Sequence, residues 1–266
     1  MNEREISECL EVGLAAVLEA GPLALQYFRK DPVAHDKSTF GHYDPVTEAD
    51  RRVEAVIRGR LAERYPAHRI VGEEHGESGS GPVAWYIDPI DGTASFVSGM
   101  PTWGILLGLV VDGRAVAGIM HQPYTGETYL ASTGIGAIHR AHGRETRLRT
   151  RATATMADAT VYSTHPRMFV DPALRSAYDR LAAQCRLQRW GGDCYSLALL
   201  AHGCIDLVVE GILMPYDFFP MIPIIERAGG VVTNLAGKAP QTAGPVIAAA
   251  NAALHAAALD VLTRSP

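Results

Sequence analysis

The chain has 266 residues, 47% of them apolar, with a net charge of −5 and a sequence pI of about 6.1. That length and composition allow one large or two small globular units with a sizeable core. The mild acidity argues against a nucleic-acid partner or an anionic membrane surface, and no apolar run reaches membrane length.

The four cysteines, Cys9, Cys185, Cys194 and Cys204, show no CxxC spacing and read as thiols in a reducing compartment. The N-terminus carries Glu3, Arg4, Glu5 and Glu11 among its apolar residues and does not read as a signal peptide. The expectation is a cytoplasmic protein.

In chain order, residues Ile6 to Phe28 show helical apolar spacing, with Gly21-Pro22 as a bend or break. Arg29 to Tyr43 reads as a loop, followed by the Asp44-Pro45 turn. Thr47 is placed to cap a helix, with Asp50 in the position of a capping-box acid. That helix presents Val53, Val56, Ile57 and Leu61 on one face and ends near Tyr65-Pro66.

Arg69 to Gly72 is a short strand that delivers Glu73-Glu74 at its end, and Gly76 to Gly81 is a loop. Trp85-Tyr86-Ile87 is a second strand, expected to stop at Asp88-Pro89-Ile90-Asp91-Gly92. Taken alone, such an Asp-Pro-x-Asp-Gly stretch is commonly a surface turn. Two strand ends presenting acids a short loop apart instead suggest a shared site for a hard cation. Gly92-Thr93-Ala94-Ser95 then opens a helix whose first amides face an anion.

From Gly104 to Met120 two apolar strands flank Asp112-Gly113, a hairpin signal. Strands near Thr128–Ala131, Ala137–His139 and Arg147–Arg149 continue the antiparallel sheet. The second half alternates strands and helices, as expected of a layered α/β unit: strands at 160–163, 185–190, 205–210, 231–233 and 246–249, and helices at 172–184, 195–203, 218–228 and 252–262. Gly229-Gly230 sits where a C-cap belongs. The halves are read as 1–150, a helix pair plus antiparallel sheet, and 151–266, with the seam between His142 and Ala157, together one catalytic unit.

Four motifs therefore occur in order: Asp44-Pro45-Val46-Thr47-Glu48-Ala49-Asp50, Gly72-Glu73-Glu74, Asp88-Pro89-Ile90-Asp91-Gly92-Thr93, and Pro215-Tyr216-Asp217 followed by Gly229-Gly230. Together they resemble the inositol monophosphatase family of Mg²⁺-dependent, lithium-sensitive phosphatases. The resemblance implies an α/β five-layer αβαβα sandwich, shared with fructose bisphosphatases and usually dimeric.

It also implies roles. Glu73, Asp88 and the Ile90 carbonyl would hold one Mg²⁺, and Asp88, Asp91 and Asp217 a second; Mn²⁺ would substitute, and a third ion is a further possibility. Asp50 and Thr93, with Glu73, would orient the attacking water. The amides of Gly92, Thr93 and Ala94 would cradle the phosphate. Such a site is chemically sensible, because phosphoryl transfer rests on positioning and charge neutralisation more than on covalent chemistry.

Trp190-Gly191-Gly192-Asp193-Cys194-Tyr195 and Asp206-Leu207-Val208-Val209-Glu210 look like the histidinol-phosphate phosphatase branch. L-Histidinol phosphate carries an ammonium and an imidazole, and Asp193 and Glu210, with Gly192 as a further substrate-binding residue, would pair with the ammonium. The alternatives are an inositol monophosphatase or broad sugar-phosphate phosphatase, and a non-catalytic binding dimer. The ten histidines show no metal-binding spacing. His75 is expected in a solvated loop, Cys194 in packing, and Asp206 in a turn.

Overall fold

The computed structural model is described over residues 1–30, 34–36 and 45–264, without the side chains of 34–36 and 45–47. Asp44, most of the loop read over Arg29–Tyr43, and the Thr47 side chain lie outside the described residues.

Helix α1 (Glu3–Tyr27) opens on a capping box between Asn2 and Glu5. It runs through Pro22 without a break. The missing Pro22 amide leaves the Leu18 carbonyl without its helical partner, and Leu18 is 46% exposed. Helix α2 (Glu48–Arg64) packs beside α1. A short ribbon, β1 (Ala34–Asp36) with β2 (Pro45–Thr47), precedes it.

Both helices cover one face of an eight-stranded sheet. Its strands are β3 (Arg69–Gly72), β4 (Gly76–Ser78), β5 (Val83–Asp91), β6 (Gly104–Val111), β7 (Arg114–Gln122), β8 (Glu127–Ser132), β9 (Gly136–Ala141) and β10 (Arg144–Arg147). Their order is β10-β9-β8-β7-β6-β5-β3-β4. Only β3 and β5 run parallel among these neighbours. On β6, Ile105, Leu107 and Leu109 join the α1/α2 core, while Leu106 and Val110 face the other way. That is the period-2 alternation of a strand buried on both sides.

The other face carries α5 (Asp193–Ala201) and α6 (Pro215–Arg227). Beyond them lies a five-stranded sheet of β11 (Thr160–Ser163), β12 (Leu187–Trp190), β13 (Leu207–Leu213), β14 (Val231–Asn234) and β15 (Gly244–Ala249), in the order β12-β11-β13-β15-β14. Its outer face packs on α4 (Pro172–Ala182) and α7 (Ala252–Thr263). The layers are thus αβαβα, as the resemblance implies. Among the described residues no helix is long and apolar enough to cross a membrane.

Two local devices set the functional geometry. The first is in β5, which does not stop at Asp88 as expected but continues to Asp91. Asp88 pairs with Leu106 and Asp91 with Gly104, so three steps on β5 match two on β6. This is a one-residue bulge, which also tolerates Pro89. In a regular strand, residues three apart point to opposite faces; the extra residue brings Asp88 and Asp91 to the same side.

The second device is a pair of glycines. Gly108 on β6 and Gly118 on β7 face each other. A Cβ on Gly118 would lie 1.8 Å from the Pro220 carbonyl oxygen, and one on Gly108 would lie 2.9 Å from the Pro220 nitrogen. The bare backbone lets α6 lie directly on the sheet, and α6 carries Asp217.

Differences from the sequence reading are otherwise at boundaries. Strand β4 replaces part of the loop read at Gly76–Gly81. Helix α5 begins at Asp193 and α6 at Pro215, each earlier than read. Gly229 follows α6 at φ 104°, and the Gly230 amide bonds back to the Ile225 carbonyl at 2.9 Å, the closure expected of this Gly pair.

Candidate metal centre

Asp88, Asp91 and Asp217 come together, each offering a carboxylate oxygen within 4.8 Å of the others. The β5 bulge supplies the first two, and the first turn of α6 supplies the third. Asp217 Oδ2 accepts the Met214 amide at 2.8 Å, which holds the carboxylate at the helix start. Asp88 Oδ1 accepts the Ile90 amide at 3.0 Å, a bond that shapes the bulge. Glu73 follows β3, with its amide on the Ile87 carbonyl at 3.2 Å, and its carboxylate is hydrogen-bonded to Asp88.

Like charges this close resist ionisation. Burial, then the Glu73, Asp91 and Asp217 charges, hold the Asp88 carboxyl well above its usual range. Burial and then Asp193 push Asp91 up to about 7, against the opposing hydrogen bonds from Cys194. Burial and then Asp91 raise Asp217. An all-oxygen cluster of mutually repelling carboxylates suits a hard divalent cation.

Around it, the Thr93 hydroxyl donates to the Ile90 carbonyl at 3.1 Å. Gly92, at φ 83°, starts the short helix α3 (Thr93–Ser98), placing the Thr93 and Ala94 amides at its open end. Asp50 is fully buried in the first turn of α2; β2, just before it, lies against α3.

The second half closes the site. The Cys194 amide donates to Asp91 Oδ2 at 2.7 Å. Asp193 is buried, and its Oδ2 accepts the Ser95 hydroxyl at 2.6 Å and the Thr102 hydroxyl at 2.7 Å. Burial raises its carboxyl while these two hydroxyls lower it. Gly192 packs its Cα over Ser196: a Cβ there would lie 2.5 Å from the Ser196 Cβ. Glu210, buried on β13, accepts the Thr164 amide at 2.9 Å and hydroxyl at 3.0 Å, and the Ser163 hydroxyl at 3.2 Å. Burial still lifts it to about 8, with the Asp193 charge contributing.

The sequence profile of the inositol monophosphatase family matches residues 5–264. The chain belongs to the inositol monophosphatase family. It is 35% identical to a histidinol-phosphatase of Chlorobaculum parvum, over 92% of this chain and 93% of that protein. It is 34% identical to the chloroplastic bifunctional phosphatase IMPL2 of Arabidopsis thaliana, over 98% of this chain and 77% of that protein. Among solved structures, an inositol monophosphatase from Zymomonas mobilis superposes with a TM-score of 0.87 at 30% identity, covering 99% of this chain and 100% of that one. Membership makes the chain one of a family of metal-dependent phosphoric monoester hydrolases acting on small phosphorylated substrates.

Several residues escaped the sequence reading. Ser95, Thr102, Ser163 and Thr164 hold the two acids of the second half. Glu54 of α2, fully buried, accepts the Glu74 amide at 2.7 Å, the His75 amide at 3.2 Å and the Arg58 guanidinium at 2.6 Å. It pins the turn that carries Glu73. His75 is exposed and Cys194 buried, as expected. Asp206 lies in the bend that opens β13, as expected; it is also buried, and it ties Arg151, the Thr153 hydroxyl and the Thr160 amide together.

Proposed function

We propose that this family member hydrolyses L-histidinol phosphate to L-histidinol and phosphate, using Mg²⁺. The observation that carries the proposal is a line of acids. From the cluster it passes through Asp91, beside Asp193, and on to Glu210. Two buried carboxylates beside the phosphate match cationic groups better than the neutral hydroxyls of a polyol. An ammonium and an imidazole would satisfy both. Glu210, held near 8 by burial, is ready to be drawn into its ionised form by a cation. The similarity to the histidinol-phosphatase of Chlorobaculum parvum supports the same substrate.

The donor set fits Mg²⁺. Glu73, Asp88 and the Ile90 carbonyl would hold one ion, and Asp88, Asp91 and Asp217 a second. Bound there, two divalent cations acidify a water and neutralise phosphate charge.

The protein groups do the rest. Thr93 spends its hydroxyl proton on the Ile90 carbonyl, so its oxygen lone pairs accept from the attacking water. Asp50 and Glu73 complete the orientation of that water. The Gly92, Thr93 and Ala94 amides cradle the phosphate. Asp193 and Glu210 bind the amine end, with Gly192 keeping the start of α5 close.

A second reading, an inositol or broad sugar-phosphate phosphatase, draws on the Zymomonas mobilis likeness and on the hydroxyls that Glu210 already accepts. Phosphate release from a panel of esters in Mg²⁺ separates the two. A charged hydrogen bond is worth roughly 1.5–3 kcal/mol, about 10- to 150-fold. The proposal expects kcat/KM for L-histidinol phosphate to exceed that for inositol 1-phosphate by at least about tenfold. Parity or reversal refutes it.

A further inference from the structure

Asp193 is held in an unusual way. Four described non-glycine residues have positive φ: Arg29, Asp112, His142 and Asp193. Asp193, at φ 43°, alone among them is buried. An aspartate tolerates this region better than most residues, yet the conformation persists only where its surroundings impose it.

Two hydroxyls hold its side chain. Ser95 belongs to α3, the helix that begins at the Gly92 turn, and Thr102 follows α3 ahead of β6. Both donate to the same oxygen, Oδ2, at 2.6 and 2.7 Å. Each hydroxyl has one proton, so the ionised carboxylate takes both and the 3.0 Å between the two hydroxyl oxygens is a contact. Oδ1 instead faces the turn: a Cβ on Gly92 would lie 3.3 Å from it and 2.9 Å from the Asp193 Cβ and Cγ. Gly92 is therefore bare where Asp193 must approach. Next along the chain, the Cys194 amide is bonded to Asp91. The carboxylate is thus fixed between the start of α3 and the acid cluster, with one oxygen committed to protein and the other turned to the site.

We propose that Ser95 and Thr102 are a positioning pair for substrate specificity, orienting Asp193 so that Oδ1 receives a cationic group lying next to the bound phosphate. The inference rests on the histidinol-phosphate reading and extends it, because it sets the span between phosphate and ammonium by two hydroxyls rather than by Asp193 alone. A substrate whose amine lies at another span from its phosphate gains nothing from this carboxylate.

The test uses S95A, T102V, the double variant and the conservative T102S. Each is assayed on L-histidinol phosphate and on 3-(imidazol-4-yl)propyl phosphate, which lacks the amine. The double variant is expected to raise KM for L-histidinol phosphate by about tenfold or more, the loss of one oriented charged contact, with kcat within about threefold of wild type. On the deaminated ester both constants stay near wild type, and T102S restores the amine-bearing substrate. A merely structural role would lower turnover of both esters together, and that result overturns the proposal, as does unchanged KM in the double variant. A crystal structure of the double variant gives an answer that needs no substrate: a displaced Asp193 carboxylate supports the positioning role, and an unmoved one overturns it. If wild type shows no preference for the amine while the carboxylate is displaced, the histidinol-phosphate reading falls and the specificity role falls with it.

Discussion

Replacing Gly118 by alanine tests how the third carboxylate reaches its place. The new Cβ would lie 1.8 Å from the Pro220 carbonyl oxygen and 2.8 Å from its carbon. Both are backbone atoms of α6, so no side chain can swing away. Ordinary contact begins at 3.4 Å, so a gap of 1.6 Å must open between α6 and β7. Asp217 lies three residues before Pro220, about 4.5 Å along the axis, and moves with it. Overpacking of this kind costs roughly 1–3 kcal/mol, a fall in Tm of about 3–10 °C for a chain of this size. A displacement near 1 Å at the reacting groups costs about 100-fold in rate. Phosphate release at saturating Mg²⁺ and a thermal melt read both effects. Activity within twofold of wild type at an unchanged Tm would refute the idea that the paired glycines seat α6 and thereby place Asp217.

In contrast, Gly59 sits inside α2 with nothing within 4 Å of a Cβ. G59A should raise stability by about 1 kcal/mol through helix propensity alone, seen as a higher Tm with unchanged activity. D88N should abolish Mg²⁺-dependent turnover, while the melting temperature of the metal-free protein stays level or rises, since one of several repelling carboxylates is gone; persistent turnover would contradict the site. Asp91 is raised from 3.8 to about 7 and Glu210 from 4.5 to about 8. Each binds its proton more tightly folded than unfolded, so its stabilisation is full in acid and is lost as pH rises through the folded value. The chelated protein should melt at progressively lower temperature from about pH 4 to 8, and Mg²⁺ should flatten the neutral end; a metal-free Tm that climbs over this window would oppose the assignment. E54Q weakens the grip on the Glu74 and His75 amides and breaks the pair with Arg58. It should cost about 3 kcal/mol and weaken Mg²⁺ binding measured by calorimetry.

The layered fold was legible where strands are long and apolar. The β6–β7 hairpin is signalled by Asp112-Gly113, and both residues do adopt positive φ, 49° and 76°. Strand β4 was not legible: its three residues are exposed and polar, and only pairing with β3 makes it a strand. The passage of β5 through Pro89 was hidden for a similar reason, since the bulge is defined by its partner on β6. Pro215 was a usable signal for the start of α6, being an N1 proline. The acids of the cluster were legible because four motifs occur in order; alone, Asp88 to Gly92 reads as a surface turn. Their supports did not. Ser95 and Thr102 lie 98 and 91 residues from Asp193, and a hydroxyl carries no local pattern that names so distant an acceptor. Glu54 was hidden among the charges of an amphipathic helix, although it is fully buried.

The most direct test of the central claim is a crystal structure with Mg²⁺ and a non-hydrolysable phosphonate analogue of L-histidinol phosphate. Cations are expected on Asp88, Asp91 and Asp217, with the phosphonate at the start of α3. The ammonium nitrogen is expected at hydrogen-bonding distance, about 3 Å, from Asp193 or Glu210. Metal bound away from these three aspartates, or an ammonium directed into solvent, would contradict that claim.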